Sequence, residues 1–169
     1  MKIFGMTELE DYLKKNSKEY DVVHITNFGW EALPVVKTHA KDFIHLPFDD
    51  IDHFQYKELI PPKYKDVEKM LEWSKGRENI ICSCHAGISR SAACAYLIMA
   101  LEQEAEVALD ILEKYKHYPN RLIVYMGAKI LNNPKIWDCF KEWQIKYGFL
   151  DPSNNGSWPN EELKTKMKL

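Results

Sequence analysis

Hydrophobic and polar positions divide the chain into alternating strand-like and helix-like segments. Three short runs of β-branched and apolar residues predict buried strands over residues 20–26, 42–48 and 79–83. Apolar positions at helical spacing predict helices over about residues 7–15, 61–74, 92–101, 104–116, 121–132 and 135–147. Strands that alternate with helices are typical of an α/β fold, here a central, mainly parallel sheet flanked by helices.

The pattern changes near Leu150, after which the chain becomes rich in Asn, Pro, Ser and Lys. Such a composition provides little apolar surface for burial, which predicts a mobile or loosely packed tail. We therefore predict one domain over residues 1–149, followed by a C-terminal tail over residues 150–169.

Composition narrows the possible partners. The 169 residues are 46% hydrophobic and 28% charged, with a formal net charge of -2, as expected for a globular domain. A nucleic-acid or anionic-membrane binder would need a basic surplus, so neither class is favoured. No apolar run approaches the ~20 residues that a membrane span requires, which predicts no stable membrane insertion.

The four cysteines show neither a CxxC pair nor a Cys/His zinc spacing. Free thiols are therefore the expected state, in a reducing and hence cytoplasmic location. We expect no metal and no other cofactor.

The stretch CHAGISRS, residues 84–91, places polar and reactive side chains between a buried strand and a buried helix. In open α/β sheets, ligands bind where strands end and helices begin. A helix that starts near Arg90 offers unpaired N–H groups, Gly87 allows the backbone to curl, and the guanidinium matches phosphate oxygens. The predicted phosphate-binding residues are His85, Ala86, Gly87, Ile88, Ser89 and Arg90.

Cys84 lies at the base of this predicted anion site. Its positive surroundings favour the thiolate, the nucleophilic form of cysteine. A thiolate beneath a bound tetrahedral anion is placed for in-line attack on phosphorus. Ser91, one residue beyond Arg90, could stabilise the thiolate when it leaves a phosphoenzyme.

Five residues between Cys84 and Arg90, followed by Ser91, resemble the signature of the protein tyrosine phosphatase superfamily, in particular its dual-specificity branch. The resemblance implies a cysteine-phosphatase fold and hydrolysis of phosphomonoesters through a phosphocysteine on Cys84. Phosphotyrosine in proteins is the first expected substrate, and phosphoserine and phosphothreonine are further candidates.

The same resemblance implies a general-acid aspartate some thirty residues before the cysteine. The segment LPFDDID, residues 46–52, lies at that distance. Its PFDD is similar to the phosphatases of regenerating liver, where the second aspartate is the acid, which points to Asp50. Asp49 and Asp52 remain alternatives for this role.

Two further positions bear on the resemblance. YPNRLIV, residues 118–124, is similar to a Pro-Asn segment of dual-specificity phosphatases and of small bacterial relatives, which suggests that Asn120 supports the loops. Most members have histidine immediately before the nucleophile, whereas this chain has Ser83. We expect that change to affect the rate more than the type of reaction.

Other functions fit parts of the pattern. RNA 5′-triphosphate or phosphoinositide phosphatases would favour extra cations, yet residues 85–89 contain no lysine. A phosphoprotein-binding pseudophosphatase would bind without turnover. A rhodanese-like sulfur transferase would leave the upstream aspartate idle.

Overall fold

The computed structural model describes residues 1–51 and 58–150 of the chain. Its strands and helices alternate in the first half, and helices alone follow in the second. In chain order the elements are β1 (Lys2–Phe4), α1 (Met6–Lys15), β2 (Asp21–Thr26), α2 (Pro34–His39), β3 (Asp42–Pro47), α3 (Tyr64–Ser74), β4 (Ile80–Ser83), α4 (Arg90–Met99), α5 (Ala105–Ala108), a 3-10 turn (Leu109–Ile111), α6 (Arg121–Ile130) and α7 (Pro134–Lys146).

The sheet has four parallel strands in the order β1-β4-β2-β3. Strand β4 lies between β1 and β2, so Ser83 at its end pairs with Phe4 on one side and His24 on the other. Parallel strands end at the same edge of a sheet, and the loop after β4 therefore starts near the centre of that edge. The predicted α/β class with a mainly parallel sheet is confirmed.

Helices cover both faces of the sheet. Helices α1 and α2 pack on one face through a small cluster of apolar side chains that includes Leu9, Leu13 and Val36. The larger core lies on the opposite face, beneath helices α3 to α7. Strands that are buried on both faces are expected to be apolar throughout, which explains the strand-like runs in the sequence.

Helix α4 occupies the centre of the larger core, and every residue from Arg90 to Ile98 is buried. A helix that is apolar on all sides is stable only when protein surrounds it. The Tyr96 hydroxyl is satisfied there by donating to the Ile136 carbonyl at 2.9 Å. The helix that follows the CHAGISRS stretch is thus a fixed support.

The structure corrects three features of the predicted pattern. Strand β1 and helix α2 were not predicted, because three and six residues are too short for a clear periodicity. The helix predicted over residues 104–116 is wrong. Only α5 and the 3-10 turn form, and the chain then turns, with the Glu113 amide donating to Nδ1 of His117 at 2.9 Å.

The tail predicted over residues 150–169 lies outside the described residues from position 151 onward. Within the described part of the chain, every helix is too short or too polar to cross a bilayer.

Candidate active site

The loop between β4 and α4 curls tightly around Gly87. This glycine has φ +73°, a left-handed conformation that side chains disfavour. A Cβ added there would lie 2.4 Å from the Gly5 nitrogen and 2.6 Å from the Phe4 carbonyl carbon. Two backbone hydrogen bonds join the same segments, from the Met6 amide to His85 O (3.2 Å) and from the Cys84 amide to Phe4 O (3.4 Å). The end of β1 therefore braces the loop.

Cys84 sits at the base of the loop and is 2% exposed. Its sulfur lies 3.1 Å from Oγ of Ser91, which is fully buried in the first turn of α4. The first amides of an α-helix have no partner within the helix, and the helix dipole favours negative charge at that end. The thiol is thus held at the positive end of α4 with a hydroxyl as its hydrogen-bonding neighbour.

Arg90 is fixed at the start of α4 with only 3% of its surface exposed. Its Nη1 donates to the carbonyls of Thr26 (3.1 Å) and Phe48 (2.7 Å), at the ends of β2 and β3. Its Nε has no hydrogen-bond partner among the described residues. A buried cationic N–H that makes no hydrogen bond is costly, and an anion in the loop would accept that hydrogen bond.

Asp50 lies over the loop. Its Oδ1 accepts hydrogen bonds from the Ser89 hydroxyl at 2.7 Å and from the Asn120 amide group at 3.0 Å. Its Oδ2 lies 3.6 Å from Nε of Arg90. The carboxylate, 37% exposed, thus faces both the loop and the solvent from which a substrate would arrive.

Asp49 has different surroundings. Its carboxylate is buried and accepts hydrogen bonds from the amides of Phe28 (3.2 Å) and Ile60 (2.8 Å). These contacts tie three chain segments together and leave the carboxylate facing backbone. Asp52, the other alternative for the acid, lies outside the described residues.

Asn120 connects Asp50 to the body of the protein. Its side-chain NH₂ also donates to the Ile51 carbonyl (3.2 Å), and its side-chain oxygen accepts from the Ile123 amide at the start of α6 (3.1 Å). Its own amide donates to Ser89 O at 3.3 Å. These bonds link the Asp50 segment, the loop between β4 and α4, and helix α6.

Ser83, which precedes Cys84, is fully buried, and its hydroxyl has no hydrogen-bond partner among the described residues. Its neighbour across the sheet is His24, whose Nε2 accepts from the Leu33 amide at 3.4 Å. Burial, together with the nearby His45, lowers the pKa of His24 to about 4. An uncharged histidine therefore lies beside the residue that precedes Cys84.

Several features of the site could not be predicted from the sequence. The carbonyls of Thr26 and Phe48 that hold Arg90 leave no signal, because every residue has a carbonyl. The contact between the end of β1 and the loop leaves one signal in the sequence, the glycine at position 5. Trp30 packs its ring edge-to-face on His85, with ring centroids 6.4 Å apart; its hydrophobic character alone suggests a core position.

Together these contacts bring a thiol, a guanidinium and a carboxylate to one loop, an arrangement suited to a tetrahedral anion. Within residues 1–51 and 58–150, no group of three or more His, Cys, Asp or Glu side chains is placed to hold a metal ion.

Comparisons with known proteins identify the fold. No protein-family model matches the sequence, and no curated protein matches it. Among solved structures, the human tyrosine phosphatase-like serine/threonine/tyrosine-interacting protein superposes with a TM-score of 0.52 at 14% identity, over 76% of this chain and 85% of its own. DUSP15 superposes with a TM-score of 0.50 at 14% identity, over 88% of this chain and 92% of its own. The chain therefore has the dual-specificity phosphatase fold, as the resemblance of its loop implied.

Proposed function

We propose that the protein is a cysteine-dependent phosphatase that hydrolyses phosphomonoesters, with phosphotyrosine in proteins as its main substrate. One observation carries the proposal: Cys84, the Nε–H of Arg90, which makes no hydrogen bond within the described residues, and the carboxylate of Asp50 converge on a single loop. These groups are the nucleophile, the anion holder and the acid that phosphoryl transfer to a thiolate needs.

In the first step, Arg90 and the amides of residues 85–90 hold the phosphoryl oxygens. The Cys84 thiolate attacks phosphorus, so that an S–P bond forms while the P–O bond to the leaving group breaks. Asp50, in its protonated form, gives its proton to the leaving oxygen. The products are the free hydroxyl compound and a phosphocysteine.

In the second step, water attacks the phosphocysteine. Asp50, now a carboxylate, takes a proton from the water as the new P–O bond forms and the S–P bond breaks. The Ser91 hydroxyl, 3.1 Å from the sulfur, donates a hydrogen bond to the departing thiolate. Inorganic phosphate leaves and the thiolate is restored.

Phosphoproteins are the substrate class that the loop composition favours. Residues 85–89 contain neither lysine nor arginine, and the chain has a net charge of -2. Phosphoinositides and RNA 5′-triphosphates carry several phosphates, which would call for further cations. Phosphoserine and phosphothreonine are proposed as weaker substrates.

We assign this activity to a catalytic domain over residues 1–149, with residues 150–169 as a tail. The chemistry needs a reduced Cys84, and all four cysteines are free. The proposed location is therefore the cytoplasm.

Hydrolysis of aryl phosphates with leaving groups of different basicity tests the mechanism. Cys84→Ser should abolish turnover. Asp50→Ala should slow phenyl phosphate by ~10²–10⁴-fold, the usual contribution of a general acid. It should slow 2,4-dinitrophenyl phosphate far less, since that leaving group needs no proton.

Asp49→Ala is the matched control. It should lower stability, because two backbone amides lose their acceptor, yet retain the wild-type dependence on the leaving group. If Asp52→Ala shows the acid signature instead of Asp50→Ala, the acid is Asp52. A wild-type protein that binds phosphopeptides without any turnover would show that the site is a binding module and not an enzyme.

A further inference from the structure

Large apolar side chains are exposed on the phosphate loop (residues 84–90) and on segments that contact it. Phe28 is 56% exposed, Trp30 53%, Tyr118 42% and Ile88 40%. Clustered apolar side chains at a surface mark a binding region more often than single ones do. Their position beside the loop makes them candidates for contacting whatever the bound phosphate carries.

The segment that holds Phe28 and Trp30 is attached to the catalytic groups. Thr26, immediately before it, accepts from Arg90 through its carbonyl, and the Phe28 amide donates to Asp49 Oδ1 at 3.2 Å. The Thr26 hydroxyl also donates to the Trp30 carbonyl at 3.2 Å. The two aromatic side chains are therefore presented from a backbone that is fixed relative to the phosphate loop.

Trp30 contacts the loop itself. Its ring meets the His85 ring edge-to-face, at an interplanar angle of 76°. His85 is the residue next to the nucleophile, so the indole stands at one lip of the loop. At another part of the lip, Ile88 is held through its carbonyl, which accepts from the Tyr118 amide at 3.0 Å.

We infer that Phe28 and Trp30, the aromatic wall, receive the phenyl ring of phosphotyrosine and select it over phosphoserine and phosphothreonine. This inference rests on the proposed phosphatase function and names the residues that set its specificity. Trp30 contacts the ring of His85 in the phosphate loop, so with the phosphate held by Arg90 the phosphotyrosine ring would pack against the indole on this side of the loop. Phosphoserine and phosphothreonine have no ring, and they leave the wall exposed to water.

The same apolar rim would suit a membrane surface less well. Insertion into anionic lipid is strengthened by flanking basic residues. Lys37, the lysine nearest to Trp30 in the chain, is paired with Glu31 at 2.6 Å, and Lys116, close to Tyr118, is paired with Glu113 at 3.7 Å. A rim of mixed aromatic and aliphatic side chains around a catalytic loop fits an aromatic leaving group.

Turnover of two peptides that differ only in phosphotyrosine or phosphoserine tests the inference. Trp30→Ala should reduce kcat/KM for the phosphotyrosine peptide by ~2- to 12-fold, the range of one lost aromatic contact. The phosphoserine peptide should change by less than twofold. Trp30→Phe should restore most of the preference, and Phe28→Ala should give a smaller loss than Trp30→Ala.

Two controls distinguish direct contact of Trp30 with the substrate ring from an indirect role in supporting the phosphate loop. Inhibition by inorganic phosphate probes the anion site alone, and its inhibition constant should be unchanged in Trp30→Ala. Tyr115→Ala removes another exposed aromatic ring, 91% exposed and 4.3 Å from the Lys114 ammonium, and should leave both peptides unaffected.

The possible outcomes are distinguishable. Equal losses for both peptides, or weaker phosphate inhibition in Trp30→Ala, would overturn the inference and make Trp30 a support of His85. Binding of the wild type to vesicles containing phosphatidylserine, lost in Trp30→Ala, would assign the rim to membranes. If the wild type hydrolyses neither peptide but binds the phosphotyrosine form through Trp30, the proposed phosphatase function is wrong, whereas the role of the aromatic wall in binding the ring is retained.

Discussion

Gly87 gives the sharpest test of how the phosphate loop is built. Replacing it by alanine imposes two separate costs. A left-handed conformation costs a non-glycine residue ~1–2 kcal/mol, and φ here is +73°. The new Cβ would also lie 2.4 Å from the Gly5 nitrogen, an atom of the backbone that cannot rotate away.

Crowding of this kind costs ~1–3 kcal/mol in well-packed proteins. Gly87→Ala should therefore lower the free energy of unfolding by about 2–5 kcal/mol in total. For a chain of this size the melting temperature should fall by roughly 4–20 °C. Because the contact joins β1 to the catalytic loop, turnover should fall as well, even at temperatures where the variant remains folded.

Gly76→Ala is the matched control. Gly76 has a similar φ of +69°, but no atom lies within 4 Å of the position its Cβ would take. This variant should lose only the ~1–2 kcal/mol of the backbone term and keep its activity. Urea unfolding followed by tryptophan fluorescence measures both variants. Equal losses in the two would refute the claim that β1 braces the loop.

Three further changes test the surroundings of the site. His24→Asn should reduce the loss of stability that occurs as the pH falls from 6.5 to 4. Native His24 has a pKa of about 4 and stays neutral over this range, whereas the same histidine in the unfolded chain takes up a proton. Unfolding measured at both pH values should show that the variant lacks up to about 3 kcal/mol of the wild type's loss in the free energy of unfolding. Asn120→Ala should lower kcat by ~10-fold, because Asp50 loses a hydrogen bond, and should lower stability by ~1 kcal/mol, because helix α6 loses its cap. Inhibition by phosphate should change little, and weaker inhibition would contradict a role limited to Asp50. Arg90→Lys should weaken inhibition by phosphate by ~10- to 100-fold. An ammonium group lacks the fixed fork of a guanidinium, which can bind the two carbonyls and an anion at once. Unchanged inhibition would show that Arg90 does not bind the anion.

The sequence predicted the parts of the site that are contiguous in the chain. Cys84, Arg90 and Ser91 fall within one strand–loop–helix junction, so spacing alone placed them together. The prediction of Asp50 as the acid rested on its distance from the cysteine along the chain and on the family resemblance. The structure then separates it from Asp49 by its hydrogen-bond partners, which spacing does not reveal.

The parts that were missed depend on contacts between distant segments. Strand β1 is too short to carry a periodic pattern, and its existence depends on pairing with β4. The helix predicted over residues 104–116 failed because apolar spacing continued while local hydrogen bonds favoured a turn at His117. The surface position of Trp30 depends on how its segment is attached to Thr26 and Asp49, which the sequence does not show.

The brace from β1 also has a consequence for the order of folding. Phe4 pairs with Ser83, so almost half of the chain must be closed into a loop before β1 can dock. Contacts so far apart in sequence form late, since the entropy of closing the loop is lost before any contact compensates for it. An intermediate with α3 to α7 packed would already contain Cys84 and Arg90 but lack the segment against which Gly87 closes. Such an intermediate would bind anions poorly, so that recovery of phosphate binding during refolding would report completion of the sheet.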